Sequence, residues 1–167
     1  MDNPQAIVLD LGNVIIEIDP QRTLDAFREL LGPHYELAFK EGAWKKLHHT
    51  LELGQISQLA FLNRLQWLSP VTLSSSQLLK AWNAVLIGVP DENVQVLEAL
   101  RQKYPLYLLS NTDALHIDWI RRHFSQRHDI DQFDTHFFEK AFFSFEMGLR
   151  KPMPLIYSRV LEQIGQT

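Results

Sequence analysis

Two short runs without a single polar residue constrain this chain most: Ala6-Ile7-Val8-Leu9 near the start and Leu106-Tyr107-Leu108-Leu109 far downstream. A strand that is apolar at every position is buried on both faces, the pattern of a parallel sheet covered by helices on either side. Each run ends in polar turn residues, Asp10 and then Gly12-Asn13 in the first, Ser110-Asn111-Thr112-Asp113 in the second. Val14-Ile15-Ile16 is expected to continue extended beyond the first turn. From Asp19-Pro20 the period becomes helical, with Leu24, Phe27, Leu30 and Leu31 on one face.

Residues 17–88 read as amphipathic helices near 21–31, 35–50, 57–67 and 74–86, with hardly any strand pattern. Trp44, Trp67 and Trp82 are expected in the core of this insertion, the alternative being that one of them faces a substrate slot. Pro90-Asp91-Glu92 opens a further helix that turns Val94, Leu97 and Leu100 inward. His116 to Phe124 is amphipathic, and the aromatic stretch Phe137 to Phe145 holds a third strand, although its period alone does not separate strand from helix. Pro152 starts a last helix with Ile156, Val160, Leu161 and Ile164 inward. This order describes a doubly wound, Rossmann-like parallel α/β core, residues 1–16 and 89–167, interrupted by an all-helical cap at 17–88.

A length of 167 residues suits one domain, and 46% apolar against 22% charged residues calls for a buried core rather than disorder. The net charge of −4 argues against a phosphate-backbone binder, so no nucleic-acid partner is expected. There is no cysteine, which excludes disulfides, thiolate nucleophiles and Cys-ligated metals. The start, MDNPQAIVLD, has neither the basic segment nor the apolar run of a signal peptide, and no apolar stretch reaches about 18 residues. The expectation is a soluble cytoplasmic protein without a membrane partner.

Ligands of open parallel sheets bind beyond the carboxyl ends of the strands. Asp10 and Ser110 stand at two such ends, and Lys151 lies a few residues past the third. An acid, a hydroxyl and an ammonium at one rim suit a carboxylate nucleophile with donors that hold an anion. Arg150 and Lys151 also precede a helix, where a cation is disfavoured by a few tenths to about 1 kcal/mol unless something negative is close. Each residue has a plainer reading as well. Asp10 is a turn former after a strand, Ser110 a helix N-cap, and the two cations are solvated charges.

The segment Ile7-Val8-Leu9-Asp10-Leu11-Gly12-Asn13-Val14-Ile15 resembles the first motif of the haloacid dehalogenase-like (HAD) hydrolases. Leu108-Leu109-Ser110-Asn111-Thr112 resembles their second and Gly148-Leu149-Arg150-Lys151-Pro152 their third, in the same order. A helical insertion between the first two is similar to the C1-capped branch, and the DLGNV form is most similar to glucose-1-phosphate phosphatase-like members. The resemblance implies that Asp10 is a nucleophile that forms an aspartyl-phosphate on a small, sugar-phosphate-like metabolite. Ser110 and the backbone amide of Asn111 would bind the transferred group, and Lys151 would neutralise charge between it and Asp10. Mg2+ would contact the Asp10 carboxylate and the Gly12 carbonyl. A carboxylate attacks a phosphate dianion poorly unless such cations screen the repulsion.

Two positions depart from that pattern. Gly12 stands where most phosphatases of the family carry an acid/base aspartate, and the sequence nominates no replacement. The fourth motif, an acidic pair after a fourth strand, is expected just beyond Thr167, so the sheet core reads as incomplete at its C-terminus and the metal site as weak. Without that strand the Asp10 strand becomes an edge. A longer parent protein, a second copy of the chain over the edge, or a non-catalytic relative that keeps a phosphate pocket would each account for this. A 2-haloacid dehalogenase is the minor alternative. Tyr157 matches a tyrosine of those enzymes, although a packing role is expected for it. The seven histidines show no HExxH pattern and are expected at the surface or satisfied.

Overall fold

The computed structural model of the protein describes residues 4–38 and 43–165. The chain enters as strand β1 (Ile7–Leu9) and then curls tightly. The Leu11 carbonyl accepts from the N–H groups of both Ile15 and Ile16, at 2.9 and 3.0 Å, and Asn13 has a φ of 55°. Val14-Ile15-Ile16 is therefore a compact loop and not the extended segment expected, because Asn tolerates the left-handed conformation that reverses the chain. The curl drops Ile15 and Ile16 into the core and leaves Val14 outside.

Strand β2 (Glu17–Ile18) follows, then α1 (Pro20–Leu31), whose first turn is capped by the Asp19 carboxylate accepting from Gln21 N at 2.9 Å. Next come α2 (Tyr35–Ala38) and α3 (Ala43–Glu52); between them, residues 39–42 of the helix expected over 35–50 lie outside the described residues. Helices α4 (Gln58–Leu68) and α5 (Ser75–Trp82) start at Ser57 and Ser74 N-caps, the second in a full capping box with Gln77. The helix expected over 74–86 stops at Trp82. A 3₁₀ turn, Asn83–Val85, leads into β3 (Leu86–Gly88), which pairs antiparallel with β2 so that Glu17 faces Gly88 and Ile18 faces Leu86. This ribbon begins and closes the helical segment. Strands of two and three residues are too short to show a period, which is why the sequence pattern of 17–88 conceals them.

The second half alternates regularly: α6 (Asp91–Arg101), β4 (Leu106–Ser110), α7 (Ala114–His128), α8 (Phe133–His136), β5 (Lys140–Phe143), α9 (Ser144–Met147) and α10 (Pro154–Gln163). The aromatic stretch does contain a strand, β5, and Phe145 falls into the short helix behind it. The last helix starts two residues later than expected, at Pro154. Strands β1, β4 and β5 form one parallel sheet in the order β1-β4-β5, with Leu9 beside Leu108 and Ser110 beside Phe143. The fold is thus an α/β sheet with helices on both faces and a helical insertion. Among the described residues β1 is an edge, and Val8 is 41% exposed there.

Three apolar clusters hold the parts. One face of the sheet packs Leu106, Leu108, Ile117, Ile120 and Phe124 with the curl residues Leu11, Ile15 and Ile16. The other face places Leu109 and Phe142 under Ile156 and Val160 of α10. The helical insertion has its own core of Phe27, Leu51, Phe61, Leu78 and Trp82, which Leu115 of α7 joins. Trp82 and the partly buried Trp44 belong to that core, whereas Trp67 is 86% exposed, contrary to expectation. Tyr157 and Leu161 are 43% exposed on α10 and do not pack inward as expected, since the sheet face beneath α10 is reached only by the row containing Ile156 and Val160. No helix among the described residues is long and apolar enough to cross a membrane.

Gly54 seats the insertion on the sheet core. Its φ is 64°, and a Cβ there would lie 2.0 Å from the Phe145 carbonyl oxygen. Gly32 has a similar φ of 51° with nothing near. Gly32→Ala is therefore expected to cost about 1–3 kcal/mol, the positive-φ backbone penalty alone, and Gly54→Ala clearly more. Urea unfolding midpoints of the two variants measure the difference.

Candidate active site

The parallel register carries Asp10 to the carboxyl end of β1, beside the last residues of β4. Lys151 arrives from the loop before α10. Its Nζ donates to Asp10 Oδ1 at 2.7 Å and to the Leu109 carbonyl at 2.9 Å, so the ammonium bridges two strand ends. Leu11 N donates to the same Asp10 oxygen at 2.8 Å. These two donors meet on Oδ1 and orient the carboxylate, which is 47% exposed.

Asn111 explains how the lysine stays in place. Its Nδ2 donates to the Lys151 carbonyl at 2.9 Å, and its Oδ1 accepts from Lys151 N at 2.8 Å. The amide side chain is a two-point brace between the β4 loop and the lysine loop, which leaves the Asn111 backbone as its route to a ligand. Ser144 Oγ braces the next residue in the same way, accepting from Thr112 N at 3.0 Å and donating to Thr112 O at 2.9 Å. Ser110 is buried, and its hydroxyl lies 3.5 Å from the Asn111 carbonyl, the long limit of a hydrogen bond. It is not the helix cap: Asp113 caps α7, accepting from His116 N at 3.0 Å.

Arg150 and Lys151 stand outside the first turn of α10, where the dipole has faded, so their partners are set by side chains instead. Lys151 takes Asp10. Arg150 crosses to the helical insertion, where its Nη2 lies 3.2 Å from Glu52 Oε2, and it also contacts His49.

Between the sheet rim and the insertion lies a cavity of about 560 Å³. Gly12, Asn111, Thr112 and Asp113 line it from the core side, and Trp44, His48, Glu52 and Trp82 from the cap side. Asp113 is fully buried and accepts from Trp82 Nε1 at 3.1 Å, with His116 Nδ1 also 3.1 Å away. The His116 ring stacks on Trp82 at 5.1 Å, nearly parallel. His48 and His116 thus line a cavity as well as being partnered. In the sequence Asp113 reads only as a residue of the capping turn and His48 and His116 only as surface or satisfied histidines, and nothing singles out Glu52; the four-residue step from His48 to Glu52 is the one hint of a shared helix face.

The space beside Gly12 is taken. A Cβ at this position would meet Ile18 Cδ1 at 2.8 Å, so a side chain there requires Ile18 to move. As for a metal, no group of three or more His, Asp and Glu side chains among the described residues could hold one. Magnesium is content with one or two carboxylates completed by water and phosphate oxygens. Asp10, half exposed with both its donors on one oxygen, fits that requirement as a single carboxylate ligand.

A model of the haloacid dehalogenase-like hydrolases matches residues 4–167. The chain belongs to that family. A D-ribitol-5-phosphate phosphatase of Bacteroides thetaiotaomicron is 28% identical over 163 residues, 93% of this chain and 75% of that protein. The crystal structure of a HAD-family enzyme from the same organism superposes with a TM-score of 0.89 at 30% identity, covering 99% of this chain and 81% of that one. Its complex with magnesium and inorganic phosphate gives 0.83 at 28% identity, over 98% and 80% of the two chains. One relative of this HAD-like hydrolase thus holds magnesium and phosphate in its crystal structure.

Two outcomes follow from this geometry. Asn111→Ala removes both bonds that hold the lysine loop and is expected to weaken binding of inorganic phosphate about tenfold or more, measured by calorimetry, with the unfolding midpoint lowered by loss of about 1 kcal/mol per bond. Burial holds His48 below the ordinary imidazole value of 6.5, against the upward pull of the Glu52 and Asp113 carboxylates and with His116 and Arg150 adding to the depression. Burial, with His128 and Arg127, does the same to His123. A depressed imidazole binds fewer protons folded than unfolded, so stability is expected to fall as pH drops below 6.5 and to level off below the folded values. Denaturant melts from pH 8 to about 5 check the sign.

Proposed function

We propose that this HAD-like hydrolase cleaves phosphate monoesters of small, sugar-like alcohols, with Asp10 as nucleophile. The observation that carries the proposal is the Lys151 ammonium held 2.7 Å from the Asp10 carboxylate at a strand end, beside a cavity large enough for a small metabolite. The likeness to a ribitol-phosphate phosphatase supports the substrate class.

An Asp10 oxygen attacks phosphorus, the bond from phosphorus to the ester oxygen breaks, and an aspartyl-phosphate forms. Lys151 screens the repulsion between carboxylate and phosphate dianion and remains on the transferred oxygens. Ser110 Oγ and the Asn111 backbone N–H hold the remaining phosphoryl oxygens. Water then attacks phosphorus, the bond to Asp10 breaks, and phosphate leaves with the carboxylate regenerated. The leaving oxygen takes its proton from water in the cavity, because position 12 offers none. Asp10 and the Gly12 carbonyl would hold magnesium, which when bound would supply the further positive charge that the developing transition state requires.

Hydrolysis of an aryl phosphate is expected with magnesium and not with a chelator, and Asp10→Asn is expected to reduce it by at least about a thousandfold. Activity that survives the substitution would overturn the assignment of Asp10. Phosphate binding without turnover in the unsubstituted protein would instead mark a non-catalytic relative, and halide release from short 2-haloacids a dehalogenase.

A further inference from the structure

The cap-side wall of the cavity is built from one face of α3. Trp44, His48 and Glu52 follow at successive four-residue steps, so their side chains share that face. Trp44 meets Trp82 edge-on at 5.0 Å, and His48 meets the same indole at 5.1 Å. The result is an aromatic wall with a carboxylate at its core-facing end. That carboxylate is an anomaly. The Glu52 side chain is only 9% exposed, and burying a charge costs several kcal/mol unless partners satisfy it. One oxygen, Oε2, has Arg150 Nη2 at 3.2 Å. The other, Oε1, lies 3.5 Å from His48 Nε2, at the long limit of a hydrogen bond.

We infer that Glu52 and His48 form a hydroxyl-reading subsite for the alcohol part of the substrate. The inference rests on the phosphatase reading and specifies which esters it takes. A hydroxyl placed between the two groups donates to Glu52 Oε1, and the imidazole offers it a second partner. Burial favours the neutral form of His48, with one donor and one acceptor, in keeping with a polar, uncharged ligand. Glu52 Oε1 accepts and does not donate, and a second carboxylate or phosphate has no proton to give it, so the leaving alcohol is polyhydroxylated, not a phosphorylated acid or a bisphosphate. Trp44 and Trp82 pack against its carbon skeleton.

Arg150 adds a positional constraint. It stands next to Lys151 in the chain, so two adjacent residues tie the phosphoryl end of the site to Asp10 and the hydroxyl-reading end to Glu52. The span between the two ends is thereby held by one loop, itself braced by Asn111.

The test measures binding in the Asp10→Asn protein, which does not form the aspartyl-phosphate, so it stands apart from the turnover assay that decides the phosphatase reading. By calorimetry, ribitol 5-phosphate is expected to bind at least about tenfold more tightly than butyl phosphate, which has the same phosphate and no hydroxyls. Adding Glu52→Gln is expected to reduce that ratio about fivefold or more, and to tighten binding of 3-phosphoglycerate, a phosphorylated acid, by a similar factor. These opposite shifts are not produced by general loosening of the cap. His48→Gln, which leaves the Arg150–Glu52 pair intact, is expected to reduce the ratio as well and serves if Glu52→Gln does not fold. A parent protein with no preference for ribitol 5-phosphate overturns the inference. So does a ratio unchanged within about twofold in the folded variants.

Discussion

The contact from Lys151 Nζ to Asp10 Oδ1 is the constraint around which the rim of this protein is arranged. Both side chains retain solvent exposure, so the pair adds little to stability by itself. Its importance is geometric. The ammonium also reaches the Leu109 carbonyl, which fixes it over the gap between β1 and β4, and the Asn111 amide secures the lysine backbone from both its N–H and its carbonyl. An anion entering this gap finds a charge already in position, with no long side chain left to order.

The cap is joined to this rim through charge as well as through packing. Arg150 and Lys151 point to different sides of one loop, one to the insertion and the other to the sheet. Asp113 ends the β4 loop, caps α7 and receives the Trp82 indole, so a single buried carboxylate links the helix, the loop and the cap core. Leu115 continues that linkage with apolar contact. Lined by these groups, the cavity is largely aromatic and aliphatic, with Lys45, His48, Glu52, Asp113 and His116 among its polar side chains.

Much of the site was legible in the sequence because parallel strands announce their ends. Asp10 and Ser110 directly follow apolar runs, and the lysine of the third motif precedes a proline-marked helix, so all three could be assigned to one edge of the sheet. The cap contribution was not legible in this way. Glu52 is an ordinary acidic residue at the end of an amphipathic helix until the fold brings Arg150 to it. Trp67 and Trp82 look alike in sequence, yet one is exposed and the other is buried over Asp113. Tyr157 shares an amphipathic helix with Ile156, but only the face bearing Ile156 meets the sheet.

What the sequence by itself determined is local: the apolar strands, the helical periods, and the order of sheet, insertion and sheet. Those features depend on neighbours within a turn or two of the chain, so their residue types suffice. Tertiary structure alone decided that Lys151 meets Asp10, that Ile18 fills the space beside Gly12, that residues 13–16 curl, and that β2 finds β3. Each of these depends on how packed elements set the distance between groups or on strands too short to show a period, and no local pattern records that distance.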